Sequence, residues 1–279
     1  MRTEFEWTHY EPGEESTVTG DLRVSTPFAV DYLDCERRLY VHLPPSYDDQ
    51  PERTYPVVYA HDGQNLFDES LSYDGEWGVD ETMTRLADEG IEAVVVGIPN
   101  AGDDRATEYT PFYDPEAIGD ERPDVEPMAD RYCSLLVDRV LPGVESAFRV
   151  RTDPTGRTVL GSSLGGLVSL YVAVDRPGVF GRVGAMSPAV GGPWREMLSV
   201  VAETDHLAER VYVDVGGDEY ADRPAAAWFE QGVRDLVSVL VDGGYERGDD
   251  LRFVFEPDAV HHERAWRRRF PDAARFLLG

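Results

Sequence analysis

The stretch that most constrains the fold of this chain is V-L-G-S-S-L-G-G, residues 159–166, which contains the pattern G-x-S-x-G around Ser163. A short run, Arg157–Leu160, leads into it, and an apolar segment with helical spacing, Leu167–Val174, follows it. The pattern predicts a strand that turns sharply into a helix, a strained turn that needs small residues and presents one serine hydroxyl to a cleft. Ser163 is therefore a candidate nucleophile. The alternative is a glycine-rich helix start that binds phosphate or binds nothing.

Apolar runs and segments with helical spacing alternate along the chain from Pro56 to the C-terminus. This alternation predicts an α/β fold with a mostly parallel central sheet and helices on both faces. The earlier segment Leu22–Leu43 alternates apolar and polar residues, which predicts antiparallel edge strands. The further predicted strands are Pro56–Ala60, Ile91–Ile98, Val183–Met186, Val211–Val215 and Leu251–Phe255, and the further predicted helices are Val79–Glu89, Met128–Phe148 (interrupted at Pro142), Ala225–Val241 and a final helix to Leu278.

The length of 279 residues fits a single domain, residues 1–279, with an N-terminal edge segment at 1–30. The stretch 99–127 is rich in proline and aspartate and has no periodicity, so we expect a long loop close to the active site. No apolar run of about eighteen residues is present, and the N-terminus lacks the apolar core of a secretory signal. With Cys35 and Cys133 as the only cysteines, these features predict a cytoplasmic protein with free thiols.

The chain has 54 acidic residues and 26 basic ones, all of them arginine, which gives a net charge of −28. Repulsion at that charge would destabilise a compact state in dilute buffer, whereas about 1 M salt shortens the Debye length to roughly 3 Å. We therefore predict a halophilic protein; the alternative is an ordinary acidic enzyme from a genome that favours arginine codons. The charge argues against nucleic acid and anionic membranes as partners, because both bind through lysine and arginine.

Polar clusters follow the predicted strands, and ligands of such sheets bind at the carboxyl ends of the strands. A serine nucleophile needs a base, and the base needs an acid that orients it. The strand ends supply these groups in the chain order Ser163, the Asp218/Glu219 pair, and then His261 or His262.

The other histidines fit this order less well. His9, His42 and His206 occupy positions typical of surface or edge structure. His61 lies at a strand end but precedes Ser163. The histidines and acids also lack the i, i+4 and C-x-x-C spacings that build metal sites, so we expect no metal.

Seven stretches occur in order within residues 35–272, namely Leu43–Tyr47, Tyr59–Asp68, Glu108–Pro111, Gly161–Gly166, Ser187-Pro188, Asp214–Glu219 and His261–Trp266. Together they resemble an esterase family that includes enterochelin (enterobactin) esterases, feruloyl esterases and S-formylglutathione hydrolases. The resemblance implies an α/β-hydrolase fold. It covers most of the chain, and seven collinear matches are far more specific than one.

The resemblance implies a role for each matching residue. Ser163 matches the nucleophile of the family. His261 matches the first position of an H-x-E-x-x-W pattern, as the catalytic base. The acid falls on the fourth position of G-x-x-[DE], which is Glu219, and Asp218, one place earlier, is the alternative.

The resemblance also implies how the site would hold its substrate. The backbone N–H of Leu164, directly after the nucleophile, and that of Gln64, on the loop after the first buried strand, are the expected oxyanion-hole donors. Tyr109 lies in one of the matching stretches and is expected to contact the substrate. Trp194 is either a wall of the substrate pocket or a residue of the core.

These residues predict a serine carboxylic-ester hydrolase that uses a Ser-His-Glu triad, passes through an acyl-enzyme and needs no cofactor. The expected partner is a small-molecule ester, and siderophore trilactones, aryl esters, short acyl esters and thioesters fit equally well. The sequence leaves open whether the chain forms a homo-oligomer. One alternative is acyl transfer to a sugar alcohol, as in the similar mycolyltransferases, although these are secreted. Another is a non-catalytic binding module on the same fold.

The charge predicts that folding depends on salt. We expect the melting temperature to rise steeply as KCl is raised, because the Debye length shortens from roughly 30 Å at 0.01 M to roughly 3 Å at about 1 M. Thermal unfolding followed by circular dichroism across a KCl series measures this. A melting temperature that stays flat between about 0.05 and about 2 M KCl would contradict the halophilic interpretation and leave the esterase interpretation intact.

Overall fold

The computed structural model describes residues 5–112 and 126–279. Its strands are β1 (Trp7–His9), β2 (Asp21–Ser25), β3 (Phe28–Val30), β4 (Cys35–Arg37), β5 (Tyr40–Leu43), β6 (Val57–His61), β7 (Val94–Ile98), β8 (Arg157–Ser162), β9 (Arg182–Met186), β10 (Arg210–Gly216) and β11 (Leu251–Glu256). Its helices are α1 (Val79–Ala87), α2 (Arg105–Tyr109), α3 (Ala129–Ser134), α4 (Leu141–Ala147), α5 (Leu164–Asp175), α6 (Glu196–Ala202), α7 (Arg223–Asp242) and α8 (Glu263–Leu278).

Nine of the strands form one sheet in the order β1-β2-β5-β7-β6-β8-β9-β10-β11, and β3 pairs with β4 in a separate hairpin. From β7 to β11 in that order, neighbouring strands are parallel. At the other edge, β2 pairs antiparallel with both β1 and β5, and β5 pairs antiparallel with β7. This order confirms the predicted α/β-hydrolase-type sheet, mostly parallel with antiparallel N-terminal edge strands.

The central strands are mostly apolar because both faces of the sheet are covered. Side chains alternate between the faces along a strand. Accordingly, Val57 and Tyr59 belong to one apolar cluster, and Val58 and Ala60 belong to another. Residues of α5 and α7 complete the first cluster, and residues of α1 and α8 complete the second. The continuous apolar runs that marked the strands in the sequence are thus a consequence of two-sided burial.

The long helix predicted over 128–148 is interrupted just before its proline. The chain leaves α-helical geometry over Leu135–Val140, which is π-helical. Pro142 lies two residues after this stretch, where its missing N–H and its ring disfavour α-helical hydrogen bonding to the preceding turn. The short helix α6 was not predicted, since seven residues span too few turns to show an apolar stripe. Within the described residues, none of the helices is long and apolar enough to cross a bilayer.

Two other expectations differ from the structure. Part of the predicted loop 99–127 is helical, because Gly102–Asp104 forms a 3-10 turn that leads into α2, while residues 113–125 lie outside the described residues. The surface or edge position expected for His42 is wrong. His42 is fully buried on β5 between two other strands of the sheet, and burial lowers its pKa to about 4.

Candidate active site

The backbone turns sharply between β8 and α5, and Ser163 occupies the turn. Its φ of 57° and ψ of −122° lie in a region that residues other than glycine rarely adopt. Space is also short, because a Cβ on Gly161 would lie 2.7 Å from the backbone of Gly165. Gly161 of the G-x-S-x-G pattern is therefore required by packing, as the sequence suggested, whereas a Cβ on Gly165 would lie 3.1 Å from Asp62 Oδ2.

Turns of similar handedness follow two neighbouring strands. Asp62 comes directly after β6 with a φ of 55°, and Ser187 comes directly after β9 with a φ of 38°. Among the described residues, these two and Ser163 are the only non-glycine residues with positive φ. Because β6, β8 and β9 are adjacent in the sheet, the three turns bring three polar side chains to one edge of it.

Ser163, His261 and Glu219 form a chain of hydrogen bonds. Ser163 Oγ lies 2.8 Å from His261 Nε2, and His261 Nδ1 lies 2.6 Å from Glu219 Oε2. The side chain of Glu219 is fully buried, whereas that of His261 is 19% exposed, so a ligand can approach the imidazole while the carboxylate stays shielded from water. This arrangement can remove the Ser163 proton, because the carboxylate stabilises the imidazolium that results.

Three aromatic rings fix the plane of the His261 imidazole. Tyr220 stacks on it with the ring centroids 5.6 Å apart. Phe229 and Trp266 meet it edge-on, at centroid distances of 5.3 and 5.0 Å. These contacts restrict rotation of the ring, so that Nε2 stays directed at Ser163.

Glu219 is also anchored through its second carboxylate oxygen. Glu219 Oε1 accepts a hydrogen bond of 2.7 Å from Ser187 Oγ and another from the N–H of Gly216. Burial alone would raise the pKa of Glu219, but the hydrogen bonds from His261, Ser187 and Gly216 hold that pKa below its usual value. The side chain is therefore an ionised carboxylate at neutral pH.

Ser187 belongs to a buried polar network that joins α8 to β10. Its Oγ lies 3.1 Å from Trp266 Nε1 and 2.8 Å from Arg269 Nη2, which both donate to it. Arg269 Nε lies 3.1 Å from Asp214 Oδ2, and Asp214 Oδ1 accepts from the Ser187 N–H at 2.9 Å. Burial raises the pKa of Asp214 to about 6 despite the charge of Arg269. Since Ser187 is fully buried and donates to Glu219, it is not accessible to attack an external ligand.

Asp218 and His262, the alternatives to Glu219 and His261, lie elsewhere. Asp218 is exposed. His262 Nδ1 accepts a 3.2 Å hydrogen bond from the N–H of Arg264 and so caps the start of α8. The structure thus brings Glu219 and His261, and not their sequence neighbours, next to the nucleophile candidate.

A cavity of about 720 Å³ lies in front of Ser163, and Gln64 is part of its wall. Gln64 occupies a 3-10 turn, Gly63–Asn65, that follows β6. Leu164 is the first residue of α5. Both backbone N–H groups therefore belong to the first turn of a helical segment, where such groups have no acceptor within the segment. The other residues of the cavity wall are Asp62, Asn65, Leu71, Ser72, Tyr73, Asp74, Asn100, Gly102, Asp103, Arg105, Ser162, His261, Glu263 and Trp266.

Asp62, Arg105 and Asn100 form a polar cluster on the cavity wall that the sequence analysis missed. Arg105 donates to both carboxylate oxygens of Asp62, at 2.7 and 2.8 Å, and Asn100 Nδ2 donates to Asp62 Oδ1 at 2.6 Å. Burial would raise the pKa of Asp62, but Arg105 and Asn100 hold it below its usual value. Asp62 lies in one of the seven stretches of the family resemblance, which was the available signal.

Tyr109 and Trp194 do not line the cavity, so the geometry does not support the expected contact of either residue with substrate. Tyr109 is fully buried, and the Arg105 guanidinium carbon lies over its ring, 5.3 Å from the ring centroid. The Tyr109 hydroxyl accepts a 3.3 Å hydrogen bond from the N–H of Asp62. Tyr109 supports the cavity wall from behind. Trp194 packs against the core, which fits its alternative interpretation.

The chain is similar to several known proteins. The chain matches the family model described as "Putative esterase" over residues 31–277. It is similar to Uncharacterized protein YbbA of Bacillus subtilis (strain 168), with 28% identity over 251 residues, covering 87% of this chain and 93% of that protein. The IroE-like serine hydrolase from Shewanella oneidensis has a similar structure, with 18% identity, a TM-score of 0.69, and coverage of 99% of this chain and 80% of that chain. The siderophore hydrolase EstA from Aspergillus nidulans also has a similar structure, with 20% identity, a TM-score of 0.71, and coverage of 91% of this chain and 94% of that chain. At these identities the structural likeness shows a shared fold.

The hydrogen bond between Glu219 and His261 predicts which acid matters. We expect Glu219→Gln to lower kcat for p-nitrophenyl acetate by roughly 10³–10⁴-fold, because an amide does not stabilise the imidazolium. Asp218→Asn removes a carboxylate one residue away, and we expect it to keep wild-type activity, since Asp218 is exposed. Steady-state kinetics on both purified variants measure the difference. Wild-type activity in Glu219→Gln would show that the acid is assigned wrongly.

Proposed function

The chain belongs to the family described as "Putative esterase", and on that premise we propose that it hydrolyses esters through Ser163, His261 and Glu219. The carboxylic-ester hydrolase predicted from the sequence is confirmed at the level of the family. The observation that supports the proposed triad is the hydrogen-bonded chain from Ser163 Oγ through His261 to a buried Glu219, at the wall of a large cavity.

In the proposed mechanism, Ser163 Oγ attacks the ester carbonyl carbon while His261 Nε2 takes the hydroxyl proton. The N–H groups of Leu164 and Gln64 stabilise the oxyanion of the tetrahedral intermediate. When the intermediate collapses, the bond from carbon to the leaving oxygen breaks, and His261 gives its proton to the departing alcohol. A water molecule then attacks the acyl-enzyme, with His261 again as base, and releases the carboxylic acid. Glu219 orients the imidazole and stabilises its positive charge in both halves of the reaction.

The charges on the cavity wall support a substrate that is uncharged or cationic. The wall includes the acidic residues Asp62, Asp74, Asp103 and Glu263, and Arg105 is its one arginine among the described residues. Because Arg105 donates to both oxygens of Asp62, its charge is already neutralised within the protein. Burial raises the pKa of Glu263 to about 7, so this side chain is partly ionised at neutral pH. An anionic substrate would meet repulsion from this wall without a free arginine to bind it.

We expect Ser163→Ala to lower kcat for p-nitrophenyl acetate by a factor on the order of 10⁶ and to abolish covalent labelling by a fluorophosphonate probe. The matched control is Ser187→Ala, which removes a hydroxyl that lies in the same hydrogen-bond network but is buried. It should still be labelled, at a reduced rate, because Glu219 loses one hydrogen bond. Labelling of Ser163→Ala but not of Ser187→Ala would show that the nucleophile is assigned wrongly.

The charge of the cavity predicts selectivity between matched esters. We expect a p-nitrophenyl ester whose acyl chain ends in a trimethylammonium group to have a kcat/KM at least about tenfold above that of an equally long ester ending in a carboxylate. The ratio should fall in the double variant Asp74→Asn/Asp103→Asn and stay unchanged in Asp88→Asn, which removes an exposed carboxylate at the end of α1. Initial rates for both esters at low salt give this ratio of kcat/KM values. Faster hydrolysis of the anionic ester would contradict the proposed substrate class while leaving the triad untouched.

A further inference from the structure

A second group of acidic side chains lies at the start of α1, and none of its members is part of the cavity wall. One carboxylate oxygen from each of Glu76, Asp80 and Glu81 lies within 4.8 Å of the corresponding oxygens of the other two. Asp80 is fully buried, and Glu76 is 4% exposed. Glu81 is only half-buried. Three negative charges this close together repel one another strongly unless a proton or a cation lies between them.

The two buried carboxylates are each held through one oxygen by the N-terminal segment of the chain. Glu76 Oε2 accepts a 3.0 Å hydrogen bond from Thr17 Oγ1. Asp80 Oδ2 accepts from the N–H and the hydroxyl of Thr19, at 2.6 and 3.1 Å. These bonds fix the orientation of both carboxylates and leave one oxygen of each without a donor.

The remaining oxygens are buried and unpaired. Glu76 Oε1, Asp80 Oδ1 and Glu81 Oε2 have no hydrogen-bond partner within residues 5–112 and 126–279. A buried acceptor without a donor destabilises the folded state, and more so if it is charged. Buried polar atoms without a hydrogen-bond partner are few in native proteins, so three such oxygens on neighbouring side chains call for an explanation.

The neighbouring arginine neutralises only part of this charge. Arg267 lies 3.5 Å from Glu76 Oε2 and 3.5 Å from Glu81 Oε1, on the oxygens other than the unpaired ones, and its side chain is 45% exposed. Three carboxylates and one guanidinium leave a net charge of −2 when all are ionised. A divalent cation bound by one oxygen of each carboxylate would cancel that charge.

We propose that Glu76, Asp80 and Glu81 bind a Ca²⁺ ion. The donors are all carboxylate oxygens, which hard cations prefer, and the set contains no nitrogen or sulfur ligand that would favour a transition metal. Ca²⁺ accepts several carboxylate ligands in an irregular geometry, whereas Mg²⁺ demands a near-ideal octahedron and usually keeps several of its waters, so three carboxylates suit Ca²⁺ better. Water would complete the coordination shell.

The bound ion would hold together the carboxylates that anchor the segment Thr17–Thr19 at the start of α1. Because the ion binds the folded protein and not the unfolded chain, it should stabilise the fold. This role is independent of the proposed ester hydrolysis.

Equilibrium dialysis against radioactive calcium, with the full chain in about 1 M KCl to screen non-specific attraction, tests the site directly. We expect one Ca²⁺ per chain in wild type and affinity at least about tenfold weaker in Asp80→Asn, which keeps the size of the side chain but lowers the charge of the site. Thermal unfolding should show the same dependence. At a Ca²⁺ concentration a hundred times Kd, the melting temperature of wild type should rise by about 5–10 °C relative to EDTA, and that of Asp80→Asn should not.

Asp88→Asn is the matched control, since it makes the same change at the exposed residue that caps the end of α1, and it should bind Ca²⁺ like wild type. Asp74→Asn tests the more exposed group of Asp74, His262 and Glu263, whose ligand atoms are also close together. If Asp80→Asn does not fold, Glu76→Gln gives the same comparison. The proposal is overturned if wild type binds no Ca²⁺, if Asp80→Asn and Glu76→Gln bind it as wild type does, or if Asp74→Asn alone abolishes binding.

Discussion

A carboxylate can stay ionised inside a protein only where hydrogen-bond donors replace the water that it has lost, and the candidate site depends on this condition at Glu219. Its donors are His261, the hydroxyl of Ser187 and the N–H of Gly216. Ser187 is in turn held by Trp266 and Arg269, both from α8. The helix that follows His261 therefore also fixes the group that orients it, so one element determines the position of both base and acid.

The parts of the molecule that could be predicted from sequence are those with a local physical cause. Two-sided burial makes the central parallel strands mostly apolar, and the crowded turn around Ser163 requires small residues, so both leave a pattern in neighbouring positions. The order of polar groups at strand ends then follows from the sheet. The choice between Glu219 and Asp218 needed the structure, because adjacent residues leave a turn in different directions and only one of them faces His261.

The features that were missed depend on contacts between distant segments. Tyr109 and Arg105 lie on the same short helix, but the guanidinium reaches the cavity while the ring is buried beneath it, a distinction that depends on the position of Asp62. His42 has the alternation typical of an edge strand, yet further strands pair on both sides of it. Likewise, Arg269 occupies an ordinary arginine position in a charged helix, and its pairing with a buried aspartate has no signature along the chain.

The positive φ angles of Asp62, Ser163 and Ser187 lower the stability of the folded state at one edge of the sheet. Residues in such conformations are strained by of order 1–3 kcal/mol each, while a whole domain is stable by only about 5–15 kcal/mol. Glycine at any of the three positions would relax the turn but remove a polar side chain from the site or its support. Thermal stability and activity therefore compete at these three residues, and selection for heat resistance alone would favour changes at the edge of the sheet where activity can least tolerate them.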